Sequence, residues 1–283
     1  MATASKTFPV LPRLWPAGGK RHGPRFPVVR ILLRSLSIVV FLALWQLASI
    51  HHLKWPIDFT NVPSPSQAAL ALLSLLHAPK IAKDAWFSII RVLAGFGVAA
   101  AVGICLGLII GVSHFAEDMI LTPLEVLRPI PAVAWVPLAT LMFASAESSM
   151  IYITFIGAFF PILLSTIHGV ERVDKRLVTA ALCLGAGQKA IFREVILPGA
   201  LPSIINGLSI GMGTSWFSLV TAEMISGQFG IGYYTWESYN LQKYPEIVVG
   251  MVLIGLLGMG SSAIIRAVGQ YMTPWAQIGG GHK

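Results

Sequence analysis

Charge is what this sequence has least of. Asp, Glu, Lys and Arg make up 11% of its 283 residues, against about 25% in a soluble domain, and the shortage runs the length of the chain. With 55% hydrophobic residues and a mean hydropathy of +0.74, most of the chain has to face lipid or other apolar helices. That excludes a soluble enzyme, and it excludes a nucleic-acid partner in spite of the formal charge of +8. Cysteine is nearly absent. Cys105 lies in an apolar run and Cys183 in a basic loop, so neither a disulfide framework nor a thiolate metal site is expected. The seven histidines are scattered apart from His51-His52, and no H-E-x-x-H spacing occurs, so the zinc-hydrolase pattern is missing. No cluster of His, Asp or Ser inside the apolar runs points to a membrane-embedded enzyme.

What is there is a series of apolar runs: 31–50, 85–112, 121–143, 148–167, 202–225 and 247–268. Each is long enough to cross a bilayer core, which takes about 20 residues as a helix. The expected fold class is therefore all-α, a polytopic membrane protein of about six spans. The first run is not a signal peptide, because its basic n-region is too long and no small-x-small cleavage site follows. Residues 1–34 hold no acidic residue and are rich in Pro, Gly, Lys and Arg, the composition of a cytoplasmic tail. With the N-terminus inside, fifteen Lys and Arg fall on the inner side and four (Lys54, Lys80, Lys83 and Lys243) on the outer, with Arg91 inside the second span. That bias places both termini in the cytoplasm. The layout expected is a basic tail (1–34), a first span with an outer amphipathic segment (35–84), a core of spans (85–270) containing a cytoplasmic loop (168–198), and a short cytoplasmic tail (271–283). Ser64, Pro65 and Ser66 suit the start of a helix in the outer segment.

Two spans have unusual interiors. The second carries Gly103, Gly107 and Gly111, a small-residue face on which a partner helix can approach closely. The third carries Pro129, Pro131 and Pro137 in "RPIPAVAWVP". Each removes a backbone donor and bends the helix, and bent helices are tolerated where the freed carbonyls face protein or a water-filled cavity. Charged residues in a membrane are costly and are functional candidates by default. Glu223, near the outer end of the fifth span, is a candidate gate or a partner for backbone at a dimer interface. Arg128, placed by its position near the inner end of the third span, either attracts an anion or anchors the positive side. Pro131, Trp135, Ser215, Trp216 and Ser218 complete the candidate pathway.

The loop contains "LGAGQKAIFREVILPGALP". It is no phosphate loop: the G-x-x-x-x-G-K-[ST] spacing is missing, Ala190 stands where a Mg²⁺-binding hydroxyl is required, and no strand precedes it. Instead, Thr179, Ala180 and Ala181 form a short helix, Gly185 turns the chain, and a second helix runs from Gln188 to about Leu197, with Pro198 and Pro202 leading into the next span. Small residues at the tip suit insertion into another protein's groove. This arrangement resembles the "EAA" loop of bacterial ABC importer permeases. Ala180, Ala181, Gly185, Leu197 and Pro198 are in register with that motif, while Thr179 replaces its Glu and Val195 its Ile. "PSPSQ", "SIIRVLAGF", "LRPIPAVAWVPL", "GAFFPILLSTIHGV" and "WFSLVTAEMISGQFGIGYYTWESYN" extend the resemblance to the nitrate/sulfonate/bicarbonate (taurine-type) group over residues 63–270.

The resemblance implies a type I importer in the bacterial inner membrane. Two permease copies, taken as a homodimer, pair with two ATPase subunits that hold ATP and Mg²⁺, and an outside binding protein delivers a small anion: nitrate, bicarbonate, cyanate, taurine or an alkanesulfonate. The chain itself then binds no cofactor and carries no catalysis. The competing reading is a secondary transporter or channel that needs no ATPase.

Overall fold

The computed structural model describes residues 27–54, 58–75 and 79–278, and no strand occurs among them. Most of the tail expected over 1–34 therefore lies outside the described residues. The chain runs through α1 (Pro27–Ile50), α2 (Pro65–Leu75) and α3 (Pro79–Val112). A broken pair follows, α4 (His114–Leu127) and α5 (Ala132–Met142). Next come α6 (Ala146–Glu171), α7 (Lys175–Cys183) and the long α8 (Gln188–Ser226). The last helices are α9 (Ile231–Asn240), α10 (Tyr244–Met272) and α11 (Pro274–Ile278). Helices α1, α3, α6, α8 and α10 are each long and apolar enough to cross a membrane.

The direction of each crossing follows from the glycines. A Cβ on Gly95 would meet Thr154; on Gly103, Ile162; on Gly107, Thr166; on Gly111, Val170. Both numbers rise together, so α3 and α6 run parallel, and the broken pair between them has to carry the chain back across. It therefore counts as one span and brings the total to six. Gly169 lies against Ala200 and Ser203, Gly207 against Ser165, and Gly157 against Ser218, so α8 is antiparallel to α6. Trp216 donates to Ser261 at 3.0 Å and Arg266 to Ser209 at 3.0 Å, which makes α10 antiparallel to α8. The expected Gly103-Gly107-Gly111 face is thus a packing seam. In lipid there is no hydrophobic drive between helices, and close van der Waals approach through small residues takes its place.

The third span differs from the single bent helix expected. The two halves meet at 86°. The turn is made at Pro131, which has no N–H to continue the helix and sits at ψ 142, while Arg128, just before Pro129, stays helical at ψ -42. Pro137 bends nothing: it lies in the first turn after Trp135, where a missing N–H costs no hydrogen bond.

Outside the core, Ser64 and Gln67 close a reciprocal cap at the start of α2, Ser64 N–H donating to Gln67 at 3.0 Å and Gln67 N–H to Ser64 at 3.3 Å, the S-x-x-Q form of a capping box. Gln46 of α1 bonds Ser66 at 3.0 Å, and α2 packs towards α10 around Val248, Val249 and Val252. The outer amphipathic segment is thereby docked on the bundle. The central trio α3, α6 and α8 holds the buried core, with Ile162, Leu163, Ala158 and Ala99 in its middle and Leu219, Met212, Ile153 and Val92 towards one end.

Candidate functional site

Three polar features interrupt this apolar bundle, one at each end and one at its middle. At the end carrying Arg172, Lys175, Arg176, Lys189 and Arg193 stands the basic loop. Helix α7 begins four residues before the short helix expected, because Asp174 caps it: its carboxylate accepts from Arg176 N–H at 2.9 Å. It ends at Gly185, whose φ is +82°. There Ala186 N–H reaches Ala181 O at 3.0 Å and Gly185 N–H reaches Leu182 O at 2.9 Å, the paired bonds of a Schellman stop. The second arm is not separate from the next span, as the two prolines had suggested. Helix α8 runs unbroken for 39 residues, because a π turn at Phe192–Ile196, in which Leu197 N–H reaches back to Phe192 O, absorbs the irregularity ahead of Pro198.

Ala180, Ala181, Val195 and Pro198 line one apolar groove of about 490 Å³, together with Leu177, Leu184 and Trp275. Leu184 is 88% exposed, and Leu177 and Leu182 are also exposed. Leu197 turns away from this groove and packs against Val170, Ala200 and Ile204. The Thr179 hydroxyl donates to Lys175 O at 2.9 Å, so it is tied to its own helix.

At the middle of the bundle the break between α4 and α5 opens a cavity of about 360 Å³, lined by Arg128 and Pro131, by Gly157 and Pro161 of α6, and by Thr214 and Ser218 of α8. Arg128 had been placed near the inner end of its span; the break instead sets it level with the centre of α6. The remaining pathway candidates turn inward. Ser215 is fully buried with its hydroxyl unpartnered, and the indole N–H of Trp135 is likewise buried without a partner. Trp216 is buried in the core, where its indole N–H ties α8 to α10.

At the other end a lattice, buried apart from the half-exposed Glu147, gathers side chains that no sequence spacing connects. Arg91 donates to Glu147 through Nε at 2.7 Å and again through Nη2, and through Nη1 to Glu223 at 2.8 Å and to Phe229 O at 2.6 Å. Ser88 donates to Glu223 at 2.8 Å, and Gly232 N–H donates to it at 2.9 Å. Gly230 N–H reaches Asp84 at 3.1 Å and Ile231 N–H reaches Ser88 at 3.0 Å. The first amides of α9 have no partners inside their own helix, and side chains of α3 and α8 satisfy them. Gly230, at φ +124°, is required here, because a Cβ would overlap the Glu223 carboxylate. Glu223 is fully buried within one chain, which corrects its expected place at a dimer interface. Asp84, Ser88 and Glu147 were missed; the available signal was Arg91, a charge inside an apolar run.

Residues 103–277 match the family model described as "Binding-protein-dependent transport system inner membrane component". The chain belongs to that family. This permease is 36% identical over 253 residues to a putative ABC transporter permease protein of Methanocaldococcus jannaschii, covering 89% of this chain and 93% of the other. It is 33% identical over 259 residues to the nitrate import permease protein NrtB of Synechocystis, covering 88% and 91%. With the bicarbonate transport system permease protein CmpB of Synechococcus elongatus it shares 31% over 241 residues, covering 81% and 84%. A chain of the inward-facing MetNI methionine ABC transporter shares the fold at TM-score 0.50 and 20% identity, covering 67% of this permease and 95% of that chain. The permease is thus a multi-pass, all-α inner membrane component of a binding-protein-dependent transport system.

Proposed function

We propose that this chain is the transmembrane permease subunit of an ATP-driven importer for a small anion. Two copies form the pathway, two ATPase subunits bind ATP and Mg²⁺ on the cytoplasmic side, and a binding protein delivers substrate from outside. Both termini lie in the cytoplasm. One observation carries the reading: the exposed apolar face of α7 is joined by a defined turn to α8, a single helix that runs from the loop to the Glu223 lattice. At 1.5 Å per residue, 39 residues span roughly 58 Å. A push on α7 when the ATPase subunits close is therefore delivered along one continuous helix to the opposite end of the bundle. The relatives' names, nitrate import and bicarbonate transport, support the anion class.

Two substitutions in the loop test this. Gly185→Val puts a β-branched residue at φ +82°, a strain of about 1–3 kcal/mol, although the site itself is spacious. Ala181→Glu puts charge into the apolar groove. Both leave the spans untouched, so normal amounts of chain should reach the membrane, while recovery of the ATPase subunit and substrate-stimulated ATP hydrolysis should fall. Wild-type uptake with the ATPase bound in both variants would reduce the loop to a connector. Uptake by a permease that never copurifies with an ATPase would favour the secondary-transporter reading.

Sidedness has its own check. Single cysteines at positions 54 and 243 should react with an impermeant thiol reagent added outside intact cells, and those at 20 and 189 should not. Labelling at 189 from outside would reverse the orientation and rule out ATPase contact with the loop.

A further inference from the structure

Arg128 is an unpaired charge at mid-membrane depth. It lines the break cavity beside Gly157 and Pro161, residues at the centre of the 26-residue helix α6. Among the described residues, the ion pairs use Lys80, Arg91, His114, His168 and Lys243 as cations, and none involves Arg128. A lipid headgroup is a poor counter-charge here. Half of α6, about 13 residues at 1.5 Å each, leaves the centre of the helix roughly 20 Å from either end, beyond the reach of one Arg side chain.

Two further observations converge on the same cavity. Ser218 is 2% exposed and lines the cavity, and no described residue accepts or donates a hydrogen bond to its hydroxyl. Gly157 stands directly opposite, and a Cβ there would displace that hydroxyl. The lining has one cation, hydroxyls from Thr214 and Ser218, and no carboxylate. Thr214 donates back into its own helix, to Gly211 O at 3.0 Å, so Ser218 supplies the free hydroxyl donor. A guanidinium presents a planar fork that matches two oxygens of a carboxylate-like, nitrate-like or sulfonate-like group.

We propose that Arg128 and Ser218 form an anion-reading station at the break of the third span, so that this permease discriminates by charge in its own pathway and does not leave selection wholly to the binding protein. The station's ligand is a small monovalent oxyanion. The proposal rests on the importer reading above.

The test uses the complete complex, with its ATPase and binding protein, in proteoliposomes, and measures ATP-driven uptake of nitrate, bicarbonate, cyanate and methanesulfonate. For whichever anion the wild type moves, Arg128→Gln should lower uptake at least tenfold, Arg128→Lys should retain clearly more than Arg128→Gln, and Ser218→Ala should lower uptake a few-fold. Basal ATP hydrolysis and recovery of both partner subunits should be unchanged in all three. Wild-type uptake by Arg128→Gln overturns the station alone. Loss of the second permease copy or of the ATPase from Arg128→Gln also overturns it, because Arg128 would then be an assembly contact. A wild-type complex that moves none of the four anions overturns the anion reading of the importer and the station with it.

Discussion

Arg91→Met should be among the most damaging single changes this permease can carry. It leaves Glu223, fully buried, with its charge partner gone, and breaking a buried pair from one side costs about 3–5 kcal/mol. The same substitution removes the bonds to Glu147 and to Phe229 O, so the chain leading into α9 loses one of its ties to α3 as well and keeps those through Asp84 and Ser88. The expected result is a large drop in the chain recovered as a monodisperse species from detergent, with a lower melting temperature in what remains. The cost belongs to the stranded carboxylate more than to the missing cation, so a second change should relieve it. Arg91→Met combined with Glu223→Gln keeps an acceptor for Gly232 N–H and for Ser88 and removes the buried charge. The double variant should be recovered better than Arg91→Met alone. If it is recovered no better, the lattice is not an electrostatic unit.

Gly107→Leu attacks the other device that holds the bundle. A Cβ at 107 would lie 2.6 Å from the Thr166 Cβ and 3.0 Å from the backbone oxygen of Leu163. Backbone cannot swing aside as a flexible side chain can, so α3 and α6 would have to separate along the seam set by Gly95, Gly103, Gly107 and Gly111. Overpacking costs typically 1–3 kcal/mol, and the bilayer supplies no hydrophobic drive to offset it. Accumulation in the membrane should fall severely. Gly97 is the internal control: it lies two residues from Gly95 in the same helix, with nothing within 4 Å of its Cβ position. Gly97→Ala should be harmless or slightly stabilising, since alanine favours a helix interior by about 1 kcal/mol over glycine. Equal behaviour of Gly107→Leu and Gly97→Ala in quantitative membrane immunoblots would refute the seam.

Much of the architecture was legible because membrane helices obey local rules. Apolar length marked the crossings, Gly185 marked the turn of the loop, and Pro129 and Pro131 marked the interrupted span. Each effect acts within one helix or one turn, where chain neighbours supply all the relevant contacts. The start of α7 was legible too, since Asp174 is an ordinary capping residue, but the small-residue run drew attention four residues, about one turn, too late. Pro198 and Pro202 misled for a physical reason: a proline predicts a lost hydrogen bond, and only the π turn at Phe192–Ile196 shows how the backbone restores continuity.

The sequence by itself determined that the chain crosses a membrane about six times, which segments do so, and where the loop bends, because transfer into lipid and backbone sterics are properties of short stretches. Only the tertiary structure decided what the charges do. Arg91 meets Glu147, Glu223 and Phe229 across separations of 56, 132 and 138 residues, and no periodicity spans such distances. It also divided residues that looked alike in the sequence: Ser215 and Ser218, three apart on α8, face the core and the cavity respectively, and Arg128 faces the cavity while Arg91 is locked in a buried lattice. The physical reason is that a helix presents every side chain at a fixed angle, and whether that angle meets a neighbour, a cavity or lipid is settled by how the other helices pack around it.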